Sequence, residues 1–373
     1  MKESQKNLFE HSDAKVSLYE KYFSIYLNVI SRTFIENIYL FDLFCGEGIY
    51  KDSGKGSPVV AMECIKRHYF SNNKSCPNLY ITFNDTGYSQ IEKGVLKTER
   101  VERFINEIYR PSNVNVGFTN IDYKDLIKKL LNRVSKLNNN ERALIFIDPW
   151  GYKEIKPEDL KELLRDGKTE VLLFLPIYFM SRFAEKSKDS AFHGGKPLRD
   201  FLIELFGSVD NIPKFKSQID FIEKLRLQFK NYLSVEFVDT FKIEREKNLW
   251  FTLFFFTSNK KGFAKMLESK WSLDKKNGEG FRIADQAQSA LFDDITQTGY
   301  IDKLEDFLTN NSGVTNQDLL YFGLQNNFLP KHTKKALDRI KEKRDIELIS
   351  LDGQKASSYY ISNEKRLVEI KIK

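Results

Sequence analysis

Cysteine and histidine are scarce in this chain, and neither is clustered. Three cysteines (Cys45, Cys64, Cys76) and four histidines (His11, His68, His193, His332) among 373 residues follow no disulfide or zinc spacing, so metal is expected to play no part. Long apolar runs are missing too. No stretch reaches membrane-spanning length, and the polar opening MKESQKNLFEHSD has no apolar core of a secretion signal, so a cytoplasmic protein without a membrane is expected. The absence of an internal repeat excludes a solenoid. Nor does one sign of charge dominate: the net charge of +7 permits an anionic partner without requiring one, and acids and bases balance over residues 281–373. What is plentiful is aromatic, with 31 Phe and 17 Tyr.

A length of 373 residues predicts one large core and a smaller appendage. From residue 12 to 32 a helical stripe runs through Val16, Tyr19, Tyr22, Phe23, Tyr26 and Leu27, with Ser12 or Asp13 as N-cap. Apolar runs at 37–44, 79–85, 113–120, 142–149 and 170–176 then alternate with helical patterns at 58–70, 89–109, 124–136 and 157–165. Runs this rich in Ile, Leu, Val and Phe suit strands buried on both faces of a parallel sheet. The βαβ repetition predicts a doubly wound, Rossmann-like α/β domain. Helices are expected at 177–188, 197–206 and 217–230, followed by strands at 232–241 and 249–258 joined through KIEREKN as an antiparallel pair. The polar segment 272–288 reads as a linker, dividing the chain into domains 1–280 and 285–373. In the second, helices at 299–310, 315–324 and 331–344 and strands at 345–352 and 356–362, turning at Gly353 and Gln354, describe a winged helix.

The first strand ends in YLFDLFCGEGIY (39–50). Glycines at 46 and 48 let the backbone turn tightly and approach a ligand, at the strand end where doubly wound sheets bind theirs. A Walker loop does not fit, because GKGS at 54–57 follows no strand, and Lys51 stands where a dinucleotide fingerprint needs its third glycine. S-adenosylmethionine fits better: its ammonium wants a carboxylate, its ribose an acceptor, and its neutral adenosine needs no phosphate cradle. Asp42, Phe44, Cys45, Gly46 and Gly48 are candidates for the methionine end, Asp85 or Asn84 for the ribose, and Asp122 either for the adenine amine or as a helix N-cap.

The fourth strand ends in FIDPWGY (146–152). A carboxylate, a proline and an aromatic in succession resemble the Asp/Asn-Pro-Pro-Tyr/Phe motif of amino-group methyltransferases, in which hydrogen bonds to the amine favour its nucleophilic form and a ring stacks on the base. Asp148 and Pro149 would orient the acceptor nitrogen, and Trp150 or Tyr152 would stack. The alternative is a strand stop at Asp148-Pro149 with Trp150 packed inside. IYKDSGKGSPVV (49–60) and His193-Gly194-Gly195-Lys196 are candidate lids.

HSDAKVSLYEKYFSIYL (11–27), YLFDLFCGEGIY with GSPVVA (39–50, 56–61), LIFIDPWGY (144–152), EVLLFLPIYFMSRF (170–183) and the terminal VTNQDLLYF with TKKALDRIKEKRDI (314–346) together resemble the three-Cys-motif partner (TcmP) family and, more distantly, class I methyltransferases that modify nucleic-acid adenines. The resemblance implies a methyltransferase-like fold with a C-terminal winged helix, and a protein partner carrying the cysteine motif. The chain departs from the family at Cys45, where a small residue is usual, and near Asn84, where an acid is usual.

In KHTKKALDRIKEKR (331–344), Lys331, Lys334, Lys335, Arg339 and Lys341 are candidate phosphate contacts, and a solvated helix face is the plain alternative. Three functions follow as expectations: methylation of an exocyclic amino group in DNA or RNA, a non-catalytic scaffold working with a partner and nucleic acid, or methylation of a protein or small molecule.

Overall fold

The structure, a computed structural model, describes residues 10–71, 76–246, 249–275, 278–282, 298–363 and 365–373. Along the chain run α1 (Glu10–Ile30), β1 (Asn37–Asp42), α2 (Ser57–Ser71), β2 (Asn78–Asn84), α3 (Lys97–Asn106), β3 (Val114–Thr119), α4 (Tyr123–Val134), β4 (Glu141–Ile147), α5 (Pro157–Leu164) and β5 (Thr169–Leu175). Then come α6 (Ile177–Ser187), a 3₁₀ turn at His193–Gly195, α7 (Lys196–Phe206), α8 (Gln218–Leu233), β6 (Phe237–Glu246), β7 (Leu249–Thr257), α9 (Lys260–Leu273) and β8 (Gly280–Arg282). The remainder holds α10 (Thr298–Asn310), α11 (Asn316–Gln325), α12 (Pro330–Lys341), β9 (Ile346–Ser350) and β10 (Val368–Ile372).

Two compact units divide these elements: residues 1–265 with 280–283, and residues 266–279 with 284–373. In the first, one sheet runs β3-β2-β1-β4-β5-β7-β6-β8. The first five strands are parallel, and β7 is antiparallel to both β5 and β6. This is the doubly wound, Rossmann-like sheet expected, with its antiparallel strand. The order reverses at β1, so β1 and β4 are neighbours whose carboxyl ends lie together, with Asp42 opposite Phe146. Strand β5 is buried at every position, which explains its unbroken TEVLLFL.

The apolar stripe of α1 packs as read: Val16, Tyr19, Tyr22, Phe23, Tyr26 and Leu27 are all buried. Tyr19 stacks on Phe146 of β4, with ring centroids 4.9 Å apart, and the Tyr22 hydroxyl donates to buried Glu170 of β5, which also accepts from Thr257 Oγ1 at 2.9 Å. The helix already includes Ser12 and Asp13, so neither is its N-cap.

Four local readings change. The predicted helix at 89–109 begins only at Lys97, because Ser89 Oγ takes the backbone N–H groups of Ile91 and Glu92 and turns the chain. Strand β6 starts at Phe237 and absorbs most of KIEREKN, since α8 carries on to Leu233; residues 247–248 lie outside the described residues. Helix α9 has no counterpart among the helices expected from the sequence. Its KKG opening looks like a breaker, yet a Cβ on Gly262 would stand 2.1 Å from Glu170 Oε1, so the glycine is there for close packing. Part of the predicted linker, 283–288, lies outside the described residues, while 280–282 form β8.

Among its described residues the second unit holds the later part of α9, the helices α10 to α12, and a two-stranded antiparallel sheet. The partner of β9 is β10, Val368–Ile372, and not residues 356–362. Tyr360 sits at φ +50°, which breaks an extended strand, and the buried Asn316 amide holds the carbonyls of Tyr360 and Arg366 at 2.9 and 3.2 Å. Gly353 therefore opens a long connection rather than a tight hairpin.

Candidate active site

The glycine turn after β1 is bolted from both sides. Leu43 N–H donates to the Phe146 carbonyl at 3.0 Å and Cys45 N–H to the Asn84 carbonyl at 2.9 Å, extending the strand contacts. Gly46 and Gly48 then adopt φ of +67° and +76°, which side chains other than glycine resist. A Cβ on Gly48 would lie 3.1 Å from Val101. Gly46 N–H donates to Asp85 Oδ2 at 3.1 Å, and Gly87 N–H to Asp85 Oδ1 at 2.7 Å. Lys97 places its ammonium 3.2 Å from both oxygens, so the acceptor sites of Asp85 are filled by the protein itself.

Arg100 completes the clamp. Its guanidinium donates to the carbonyls of Glu47 and Ile49, and it faces the Glu47 carboxylate at 3.7 Å. That carboxylate also accepts from Ser89 Oγ at 2.7 Å and Gln90 N–H at 2.8 Å. All of these partners come from the loop before α3 or from its first turn.

Asp42 is fully buried. Ser57 Oγ donates to its Oδ2 at 2.6 Å, while Oδ1 has no hydrogen-bond partner among the described residues. Burial pushes its pKa up to about 7, opposed by the Ser57 hydrogen bond and reinforced by the nearby Asp148 and Asp85 carboxylates. The folded pKa thus lies above the unfolded one. Its contribution to stability is present in full below about pH 4 and is lost as pH rises through about 7. Asp42→Asn is accordingly expected to stabilise the protein at pH 8 by on the order of 2 kcal/mol and to change little at pH 4. Urea unfolding at the two pH values checks this; equal shifts at both would refute it.

At the neighbouring tip, Asp148 is paired with the Lys15 ammonium from α1, which also lies 4.6 Å from the centroid of the Phe174 ring. Lys15 is only 9% exposed. Tyr50 stands beside it: a Cβ on Gly46 would meet the Tyr50 hydroxyl at 3.1 Å, and burial, then Asp148 and Glu47, raise the phenol's pKa. Trp150 is 68% exposed, so it does not pack inside, whereas half-buried Tyr152 packs against the core.

The structure brings Asp42, Gly46, Gly48, Asp85 and Asp148 to one edge of the sheet and gives other candidates different work. Asn84 is a brace, donating to the Leu43 and Ile121 carbonyls and accepting from Thr119 Oγ1 and Ile121 N–H, which leaves nothing for a ribose. Asp122 caps α4, accepting from Lys124 N–H at 3.0 Å. The Phe44 ring stacks on Tyr123 at 5.5 Å, and the buried Cys45 thiol has its pKa raised by burial. Pro149 is partly buried after the β4 tip. The 49–60 segment is laced together by an Ile49–Lys55 bridge and a Gly56 N–H to Gly48 carbonyl bond of 2.6 Å. In the second unit Lys331, Lys334, Lys335, Arg339 and Lys341 all lie on the exposed side of α12, and Arg339 pairs with Glu342.

Lys15, Tyr50, Lys97 and Arg100 escaped the sequence reading. The available signal was cations on an apolar stripe: Lys97 and Arg100 share the buried face of α3 with Val101 and Ile105. Among the described residues no group of three or more metal-ligating side chains is placed to hold an ion, and no helix is long and apolar enough to cross a membrane.

Fold and site define a Rossmann-like α/β protein with a glycine turn and an acidic second tip at its switch point. No family model matches the chain, and no curated protein emerges as a relative. Among solved structures it is similar to a Legionella pneumophila protein described as DUF519, at 15% identity over 70% of this chain and 90% of that one, with a TM-score of 0.39. It is also similar to a loganic acid methyltransferase with SAH, at 10% identity over 69% and 98% of the two chains, with a TM-score of 0.28. At such scores the architecture rests on the strand order itself.

Proposed function

We propose that the protein is an S-adenosylmethionine-dependent methyltransferase acting on an exocyclic amino group of a nucleic-acid base, in the manner of the class I methyltransferases that modify nucleic-acid adenines. One observation carries the reading: the β1 tip, with Gly46, Gly48 and a buried carboxylate whose Oδ1 has no hydrogen-bond partner among the described residues, adjoins the β4 tip bearing Asp148-Pro149-Trp150. The residues fit the cofactor. The glycines offer backbone without Cβ, and Asp42 near pH 7 is ready to ionise beside a cation. When bound, the cofactor supplies an electrophilic methyl group on a sulfonium.

The rest is done by the chain. Asp42 holds positive charge, and Arg100, through Glu47 and Ile49, keeps the glycine turn in place. Asp148 exchanges the Lys15 ammonium for the acceptor's N–H and keeps that nitrogen pyramidal and aimed. The exposed Trp150 ring stacks on the base. Asp85, already saturated by Lys97 and two backbone N–H groups, acts on the loop. Incubation with radiolabelled cofactor and cellular DNA, RNA and protein tests the reading. Label is expected in nucleic acid; label in protein alone refutes it.

We further propose that the second unit is a winged helix that meets phosphates through α12 and that a three-Cys-motif protein is its partner. Lys334→Gln with Lys335→Gln should lower the salt-dependence slope of oligonucleotide binding by about two units. An unchanged slope removes α12 from the interface. The saturated Asp85 and the Lys15–Asp148 pair favour a second reading, a scaffold that binds without catalysis. Absence of any cofactor-binding heat would select it.

A further inference from the structure

A cavity of about 290 Å³ opens between the loop after β4 and α6 with its following 3₁₀ turn, lined chiefly by Trp150, Tyr152, Lys153, Phe179, Phe183 and Phe192. That is the small end of the range for ligand sites, enough for one ring system. Five of these six side chains are aromatic, and Lys153 is the only charged residue of the lining among the described residues. The Phe183 and Phe192 rings lie 6.3 Å apart at 25°, a broad flat wall. Gly195 fixes that wall, since a Cβ there would meet Phe192 at 2.5 Å, which accounts for a glycine in the His193-Gly194-Gly195 segment better than a lid does.

Two cations stand beside the wall. The Lys186 ammonium lies 4.5 Å from the centroid of the Phe192 ring and the Arg182 guanidinium 5.6 Å from that of Phe183. Among the described residues no carboxylate lines the cavity. Aromatic faces take a flat ring irrespective of its edge, and cations beside them take an attached anion. We infer that this cavity is the seat of a phosphate-bearing nucleobase, with Phe179, Phe183 and Phe192 forming the stacking wall opposite Trp150, and Lys153 and Lys186 facing the phosphate. The inference rests on the proposed function for its link to Asp148, two residues from Trp150, though nucleotide binding itself needs no cofactor.

Tryptophan fluorescence of the full chain reads it, because Trp150 is 68% exposed at the cavity while Trp250 and Trp271 are 6% and 8% exposed. Titration with the four nucleoside monophosphates should give saturable quenching by at least one, and ribose 5-phosphate should give none. Phe179→Ala, whose ring is 47% exposed so that no core is opened, should weaken that nucleotide about tenfold. Lys153→Gln should weaken the nucleotide but not its nucleoside. If no monophosphate exceeds ribose 5-phosphate, if Phe179→Ala leaves affinity unchanged, or if only an apolar peptide quenches, the inference is overturned. Cofactor calorimetry on the same samples separates the two ideas: nucleotide binding without cofactor binding spares the cavity and sinks the methyltransferase, and the converse spares the methyltransferase and sinks the cavity.

Discussion

Asp148→Ala is expected to lower methyl transfer by about 10²–10³-fold or more while leaving cofactor affinity within about twofold. The carboxylate stands at the β4 tip, where it would face the acceptor, and the cofactor-side groups Asp42, Gly46 and Gly48 belong to the β1 tip. A structural role is a real competitor, because Asp148 is paired with Lys15. Lys15→Met separates the two. If Asp148 merely anchors α1, losing Lys15 should be as damaging as losing Asp148; if Asp148 orients an amine, Lys15→Met should leave transfer largely intact. Equal loss of transfer and cofactor binding in Asp148→Ala would contradict the assigned role.

Arg100→Met is expected to cost about 3–5 kcal/mol, because it strips a buried guanidinium from the Glu47 carboxylate and from the Glu47 and Ile49 carbonyls in one step. The penalty is that of leaving buried acceptors and a charge without a donor rather than the net worth of the pair. Adding Glu47→Gln should restore part of the loss, since no carboxylate is then stranded. Urea unfolding of the wild type, both single variants and the double variant supplies the cycle. Loss below about 1 kcal/mol in Arg100→Met would mean that the glycine turn holds itself. Cofactor affinity should fall in parallel, as the turn that carries Gly46 and Gly48 relaxes.

These two sites differ in how far the sequence discloses them. The β1 and β4 tips are legible because their chemistry is written in short contiguous stretches, FDLFCGEG and FIDPW, each closing an apolar run that could only be a buried strand. Their adjacency comes from the strand order, in which β1 lies beside β4. Lys15 and Arg100 reach their partners across 133 and more than 50 residues, and a cation in a helix reads by default as solvated. Only the fold reveals that it faces inward.

Local signals failed where side chains overrode backbone preference. Residues 89–96 carry helical periodicity, yet the Ser89 hydroxyl and the Glu47 carboxylate seize the backbone N–H groups a helix would need. Asn84 looked like a weak ribose acceptor because its position after β2 suits one. Its amide is instead consumed in tying together the ends of β1, β2 and β3. Gly353 looked like a hairpin turn, and the buried Asn316 amide, distant in sequence, holds the longer path that the chain takes to β10.

The pairing of the two tips into one cofactor-and-acceptor site is tested most directly by calorimetric titration of the full chain with S-adenosylmethionine at pH 8 and pH 6. The expected result is one site per chain, weaker at pH 6 because Asp42 must then give up a proton to meet the cofactor's charge, retained in Asp148→Ala and lost in Asp42→Asn. An absence of heat with the wild-type protein, or binding unchanged by Asp42→Asn, would contradict it.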